Sequence, residues 1–255
     1  MTFTLPSALR PLAWQHQKTV YNRLFECVST TLKDFNPGQL GAEMGLTAVL
    51  HTHNRRLDYH PHLHVVVPGG GIDEKRKQWK KKKGKYLFNE RALAKVFRAR
   101  FLDAIHQAGL AVPKNLPDRW VVHCAHVGKG QPAFQYLARY LYRGVLSEKD
   151  ILADHDGQVT FRYRQSKTGE TRYRTLNGED FCWLILQHVL PKGFRRVRDY
   201  GFLHGNAKSR LKLVQRILRA LVEVFPTRAK PVYTCRNCQT PMLVVGLIRP
   251  IWSPG

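Results

Sequence analysis

The sequence lacks any run of about 18 uninterrupted apolar residues, the length that a membrane-spanning helix needs. Its five cysteines are an odd number spread through a chain of 255 residues, which argues against a disulfide scaffold. The N-terminus, MTFTLPSALRPLAW, has neither the basic and apolar regions nor the cleavage site of a secretory signal peptide. These absences predict that the chain has no membrane partner and resides in the reducing cytoplasm.

Acidic residues are scarce, because the chain has 18 of them against 42 lysines and arginines, a formal net charge of +24. A chain this basic repels itself unless a polyanion neutralises it, and nucleic acid is the usual polyanion. The alternative is a protein whose lysines are simply solvated. The basic residues occur in clusters with aromatic residues between them, however, and this pattern favours nucleic-acid binding.

Hydrophobic periodicity and turn residues divide the chain into helices and strands. Helices are predicted at 13–34, 89–109, 131–144, about 178–190 and about 205–224, and strands at 46–53, 62–71 and 119–128. The segments QVTFRYR and TRYRTL alternate in polarity and are joined by QSKTGE, which predicts a hairpin. Strand pairs mixed with helices indicate an α+β fold with an antiparallel sheet.

Histidine is concentrated in the stretch DYHPHLHVVVPGGG, residues 58–71. Because side chains alternate along a strand, His62 and His64 share one face, and the apolar residues between and after them share the other. Imidazoles two positions apart on one face can aim at a single point above the sheet and hold a divalent cation. The alternative is that these histidines cap polar strand ends and form hydrogen bonds with the backbone.

The preceding strand adds further histidines to this face. If the link between the two strands closes a hairpin, His53 falls opposite His62 and His51 falls opposite His64. Four imidazoles would then cluster on one face of the sheet. A register error of one residue would move the histidines to the other face.

A second group of reactive side chains lies in the segment FQYLARYLYR. Tyr136 and Tyr140 are four residues apart, so a helix places them on one face, one turn apart. They group with Arg139 and Arg143 rather than with the apolar stripe of the helix. A nearby cation lowers the free energy of a phenolate, and arginine binds phosphate oxygens, so this combination suits phosphodiester chemistry. The alternative is a partly exposed aromatic pair on an amphipathic helix.

Together, the histidine strand and the tyrosine helix resemble the HUH endonuclease superfamily. Within it, the chain is similar to the two-tyrosine transposases of rolling-circle insertion sequences, of the insertion-sequence-ninety-one type. The resemblance covers most of residues 3–204 and is carried, in order, by FTLPSALRPLAW, HTHNRRLDYHPHLHVVVPGGG, WVVHCAHVGKG, YLARYLYR and HVLPKGFRRVRDYGFL. Family members usually carry an additional N-terminal region with cysteine pairs. Because the sequence starts almost at the first strand, we expect this chain to be without that region.

The resemblance implies an HUH-like catalytic domain at 1–204, with an antiparallel sheet flanked by helices, and a C-terminal extension at 205–255 with a basic helix and a CxxC-containing tail. It implies that His62 and His64 bind Mg²⁺ or Mn²⁺. A third ligand cannot be placed by motif. The candidates are His51, His53, His60 and Gln135, of which His51 and Gln135 are favoured.

The resemblance also implies that Tyr136 or Tyr140 attacks a single-stranded DNA and forms a 5′-phosphotyrosyl link. The partners would be the element ends and the target strand, and the location would be the bacterial cytoplasm, in association with the nucleoid. Two alternatives differ from this transposase. One is a non-catalytic remnant that only binds single-stranded nucleic acid, and the other is a replication or plasmid-transfer nickase with the same chemistry.

Two further patterns bear on partners and cofactors. The basic run KRKQWKKKKGK predicts phosphate contacts, with Trp79 stacking on a base, and the alternative is a solvated loop. The lysines of this run are Lys80, Lys81, Lys82 and Lys83. Cys235 and Cys238 have the spacing of a zinc knuckle, but a closed zinc site needs four ligands and the chain has no second pair. Zinc is therefore not expected there.

Overall fold

The structure is a computed structural model that describes residues 1–36, 40–82, 84, 88–128, 130–131, 135, 146–165, 168–220 and 233–243. The chain divides into two compact units, residues 1–220 and 221–255. The predicted boundary after residue 204 stays a prediction.

A five-stranded antiparallel sheet forms the centre of the first unit, with the strand order β10-β2-β3-β1-β6. Its strands are β1 (Thr2–Thr4), β2 (Leu46–His53), β3 (Tyr59–Val66), β6 (Val121–His123) and β10 (Val197–Tyr200). β1 lies between β3 and β6 although it comes first in the chain. The sheet therefore joins segments that are distant in the sequence.

One face of the sheet packs into the hydrophobic core. Phe3, Leu63 and Leu50 are neighbours in register across three strands, and each is buried. The helices that accompany this sheet are α1 (Arg10–Gln15), α2 (Gln17–Phe35) and α3 (Glu90–Gln107). The apolar residues of α2 and α3 belong to the same buried cluster as Phe3 and Leu63. Burial of this area is the main term that stabilises the fold.

The limits of α3 follow from its end residues. Asn89 is the N-cap, and its side chain accepts a hydrogen bond from the Ala92 backbone N–H. Beyond the C-terminal end, Gly109 has a φ of 71°, a conformation that glycine adopts without a steric penalty. The helix predicted from Asn89 to Gly109 is therefore confirmed at both ends.

Smaller elements surround this sheet. They are a hairpin of β4 (Gly70–Asp73) and β5 (Gln78–Lys81), a three-stranded sheet of β7 (Ile151–His155), β8 (Gln158–Arg164) and β9 (Thr171–Asn177), and the helices α4 (Gly178–Leu186) and α5 (Lys208–Ile217). Ile72, Phe202 and Val214 form a second buried cluster beneath the β4–β5 hairpin.

The predicted α+β class, with an antiparallel sheet flanked by helices, is confirmed. The predicted strand at 62–71 is wrong in its limits, because β3 ends at Val66 and a new strand, β4, begins at Gly70. Pro68 lies between them and cannot donate to a strand ladder. Among the described residues, no helix has the length and apolarity to cross a membrane.

A candidate metal centre on the histidine face

The face of the sheet opposite to the core carries a cluster of three histidines, His51, His62 and His64, and we call it the histidine face. In the register of β2 and β3, His51 lies opposite His62 and Val49 lies opposite His64. The expected pairing of His51 with His64 was wrong by two residues. A shift of two residues keeps every side chain on its original face, so the three histidines still share one face.

A bulge at the start of β3 separates His53 from this group. His51 pairs with His62, but His53 pairs with Tyr59, so β3 has one residue more than β2 over this interval. The additional residue lies in the segment that contains Pro61. Proline has no backbone N–H, so it is compatible with a bulge, where the hydrogen bonds between the strands are interrupted. The expected pairing of His53 with His62 is therefore wrong.

The three histidines are close enough to share an ion. His51, His62 and His64 each offer one ring nitrogen, and these nitrogens all lie within 4.8 Å of one another. The ring centroids are 5.2 Å apart for His51 and His62, 4.4 Å for His51 and His64, and 4.9 Å for His62 and His64. A cation with bonds of about 2.1 Å brings its ligand atoms within about 4.2 Å of each other. The cluster therefore needs only small side-chain rotations to close on an ion.

Hydrogen bonds orient two of the rings. His62 Nδ1 lies 2.6 Å from the His60 carbonyl oxygen. Because a carbonyl only accepts, His62 Nδ1 carries the proton and donates it, and the lone pair of Nε2 is left for a metal. His64 Nδ1 lies 3.1 Å from Thr2 Oγ1 on the neighbouring strand β1. Partners of this kind fix the orientation of metal-binding imidazoles.

Burial keeps these imidazoles neutral at ordinary pH. Burial, together with smaller contributions from the neighbouring His64 and His62, lowers the pKa of His51 to about 2. Burial also lowers the pKa of His64 to about 3 and that of His62 to about 4. Since only a neutral imidazole has a lone pair for a cation, the cluster is in the protonation state that metal binding requires.

Two other candidate ligands have different surroundings. Both ring nitrogens of His53 have contacts, with Thr52 Oγ1 at 3.0 Å and with Gln187 Oε1 at 3.4 Å. The His53 ring also stacks on His188 at a centroid distance of 3.7 Å. His60 Nδ1 accepts a hydrogen bond from the Arg10 guanidinium at 3.0 Å. These contacts give the two rings structural partners outside the cluster.

Gln135 is helical and exposed, and its predicted role as a ligand stays a prediction. The predicted nucleophiles and their basic neighbours lie outside the described residues. These are Tyr136, Tyr140, Arg139 and Arg143, together with most of the predicted helix at 131–144.

Sequence reasoning did not place Thr2 or Arg196 beside the cluster. Thr2 contacts His64, and its strand is 62 positions away in the chain. Arg196 lies close enough to His51 and His188 to lower the pKa of each. No local sequence pattern predicts these contacts, because sheet pairing brings the two residues to the site.

The basic run after the histidine strand forms part of the β4–β5 hairpin. Lys80 Nζ contacts Asp73 at 3.0 Å and the Gly41 carbonyl oxygen at 2.9 Å, while Lys81 is exposed and Lys82 is half-buried. Trp79 is half-buried, and its ring lies 5.9 Å from that of Phe202 in an edge contact. Lys83 lies outside the described residues. The DNA-binding roles of these residues stay predictions.

In the second unit, Cys235 and Cys238 lie in a small turn closed by a bridge between Thr234 and Pro241. Within the described residues, the one group of three or more side chains that could hold a metal ion is His51, His62 and His64, and it does not include these cysteines. The expectation about zinc at Cys235 and Cys238 stays a prediction.

Comparison with known proteins gives a matching family and two relatives. Residues 45–210 match the family Y2_Tnp, which is described as "Putative transposase". The chain is 35% identical over 240 residues to "Putative transposase y4qJ" of Sinorhizobium fredii, covering 84% of this chain and 60% of the relative. It is 28% identical over 229 residues to the "Transposase for insertion sequence element IS801" of Pseudomonas savastanoi pv. phaseolicola, covering 80% of this chain and 53% of the relative.

The chain thus spans little more than half of the length of these two relatives. Among solved structures, "Conjugative Relaxase TrwC in complex with mutant OriT Dna" shows 12% identity and a TM-score of 0.34, with 85% of this chain and 72% of that chain covered. A score of this size is too low to establish a common fold.

Proposed function

The chain belongs to the Y2_Tnp family of transposases, and from this premise we propose that it cleaves and rejoins single-stranded DNA with a divalent metal ion. The family confirms the resemblance found in the sequence. The observation that carries the proposal is the cluster of His51, His62 and His64, with ligand nitrogens within 4.8 Å of one another.

The donor set fits a cation. It consists of three imidazoles that burial keeps neutral, and the His62 tautomer leaves Nε2 free to coordinate. Bound there, Mg²⁺ or Mn²⁺ would polarise the scissile phosphate and stabilise the charge that develops on it. Arg196 adds a fixed positive charge beside the cluster, where it can bind a phosphate oxygen.

The proposed nucleophile is Tyr136 or Tyr140. Its phenolate oxygen attacks the phosphorus, a 5′-phosphotyrosyl bond forms, and the bond to the 3′ oxygen breaks to leave a free 3′-hydroxyl. The proton of the phenol goes to solvent or to a neighbouring base, and the departing 3′ oxygen takes up a proton from solvent. The covalent link keeps the energy of the broken phosphodiester, so that a 3′-hydroxyl can reverse the reaction without ATP. Two tyrosines would allow a second cleavage while the first strand is still attached.

The proposed substrates are the single-stranded ends of an insertion sequence and its target. The formal net charge of +24 supports a polyanionic partner. Lys80, Lys81, Lys82 and Lys83, with Arg139 and Arg143, are the proposed contacts to the DNA backbone. Trp79 is the proposed stacking residue.

A covalent-adduct assay tests this function. The protein is incubated with a single-stranded oligonucleotide that carries an element end, together with Mn²⁺, and adducts are resolved on a denaturing gel. We expect an adduct that disappears with EDTA, with His62→Ala, and with Tyr136→Phe combined with Tyr140→Phe. His155→Ala is the matched control, because His155 is exposed at the end of β7, and it should leave the adduct unchanged.

Two outcomes would replace the proposal. If the oligonucleotide is retarded on a native gel but no adduct forms on an element end, the chain is a non-catalytic DNA-binding protein. If adducts form on a replication or transfer origin but not on element ends, the chain is a nickase with the same chemistry.

A further inference from the structure

A groove with a volume of about 1070 Å³ lies between α2 and the segment that contains β10 and the start of α5. Within its lining, Arg198 is the register partner of Ala48, which is buried in the core. Arg198 therefore points to the face of the sheet that α2 covers, and not to the histidine face. We call this cavity the edge groove, because β10 is the last strand of the sheet.

Positive charge dominates the edge groove. Its basic side chains are Lys18, Lys33, Lys192, Arg195, Arg198 and Arg210. Its two carboxylates already have partners: Glu43 binds Arg210 at 2.9 and 3.0 Å, and Asp199 accepts a hydrogen bond from Thr47 at 2.6 Å. Among the described residues, no ion pair involves any of the groove's basic groups except Arg210.

The guanidinium of Arg198 is held in place without a carboxylate. It lies 4.3 Å from the centre of the Phe25 ring and 5.1 Å from that of Phe194, and it donates a hydrogen bond to Asn22 Oδ1. A half-buried guanidinium usually has an anionic partner, because desolvation of an uncompensated charge is unfavourable. A phosphate would supply that charge, and a guanidinium fixed by two rings loses little entropy on binding it.

We propose that the edge groove binds the backbone of a segment of single-stranded DNA separate from the segment cleaved at the histidine face. Lysines and arginines along an open groove, with aromatic side chains such as Tyr200 in its wall, match sites that bind single strands without reading sequence. This inference rests on the proposed function for the nature of the polyanion. It adds a second contact on the opposite side of the sheet, which keeps two DNA segments on one protein.

Salt-dependent binding tests the edge groove independently of cleavage. Affinity for a ~30-nucleotide oligothymidylate is measured by fluorescence anisotropy in EDTA at several salt concentrations. The test variant is Lys18→Glu with Lys192→Glu, since both side chains are exposed in the groove. The matched control is Lys95→Glu with Lys114→Glu, which changes the net charge equally at exposed positions outside the groove.

We expect the groove variant to bind at least tenfold more weakly and to lower the slope of log K against log salt by about 1.4, because each lost phosphate contact on a single strand contributes about 0.7. The control variant should keep the wild-type slope. Equal slopes for the two variants would overturn the proposal. As a second variant, Arg198→Gln should also weaken binding in this assay. The thermal unfolding midpoint of the free variant should lie well above the assay temperature, so that the weaker binding is not caused by unfolding.

The two proposals fail in different ways. The groove variant should still form the covalent adduct with a short oligonucleotide that spans only the cleavage site, whereas His62→Ala should not. If wild-type protein never forms an adduct but the groove variant lowers the slope of log K against log salt and the control variant does not, the proposed function fails and the edge groove stands.

Discussion

Acid should destabilise this fold, because the folded protein holds several histidines in the neutral state. His51, His53 and His62 are buried, and burial lowers their pKa values to about 2, about 4 and about 4. In the unfolded chain each pKa is about 6.5. Between these values the unfolded state binds more protons than the folded state, so the free energy of unfolding falls as the pH falls through 6.5.

The magnitude follows from the linkage relation. From pH 7 to pH 5.5, a histidine that stays neutral when folded and has a pKa of about 6.5 when unfolded contributes a loss of about 1.3 kcal/mol. These three residues alone give about 4 kcal/mol, a large part of the 5–15 kcal/mol that is typical of a folded domain. His64 and His188, whose pKa values burial lowers to about 3, add to this loss. The urea concentration at the unfolding midpoint should then fall by roughly 1–2 M.

Urea unfolding in EDTA, followed by tryptophan fluorescence at pH 7 and at pH 5.5, measures this loss. His62→Gln should reduce the pH-dependent loss by about 1.3 kcal/mol, because one of the neutral histidines is gone. The exposed His155 is the matched control, and His155→Gln should leave the loss unchanged. A wild-type midpoint that is the same at both pH values, or a His62→Gln variant with the full pH dependence, would refute the reasoning.

Three other predictions concern the metal and the backbone. Co²⁺ or Mn²⁺ should raise the thermal unfolding midpoint more than the same concentration of Mg²⁺, because imidazoles favour transition metals and Mg²⁺ prefers oxygen ligands, and His51→Gln should remove the difference. Gly201→Ala should lower the free energy of unfolding by about 3 kcal/mol or more in urea, because Gly201 has a φ of 62° and an added Cβ would meet the Met44 carbonyl oxygen. An added Cβ at Gly205 would meet open space, so Gly205→Ala should change the free energy of unfolding little. Asn89→Ala should cost about 1 kcal/mol through the lost cap, whereas Asn177→Ala should be nearly neutral, because the Asn177 side chain makes no capping hydrogen bond to α4.

Local periodicity was sufficient to predict the limits of the elements that tertiary packing does not shorten or interrupt. The strand at Leu46–His53 has its predicted limits, and the hairpin of β8 and β9 forms from the two alternating segments. The predicted strand at 119–128 contains only Val121–His123 as a strand. Its partner β1 has three residues, so a longer ladder has nothing to pair with there.

The surroundings of Trp79 could not be predicted from its own segment. A tryptophan within a run of lysines indicates an exposed stacking residue, but Phe202 lies against its ring. Phe202 and the helix α5 come more than 100 residues later in the chain. Only tertiary packing brings them under the β4–β5 hairpin, and local pattern carries no information about it.

The sequence was sufficient to predict which face of the sheet carries the candidate metal site, but not the register of the two strands that form it. A strand repeats every two residues, so the alternation of histidine with leucine and valine decides which face carries the imidazoles, whatever the pairing. An error of two residues then exchanges His64 for His62 as the partner of His51 and leaves the group intact. Because α2 and α3 pack on the other face, the proposed function requires the scissile strand and a tyrosine nucleophile to meet the sheet on the histidine face.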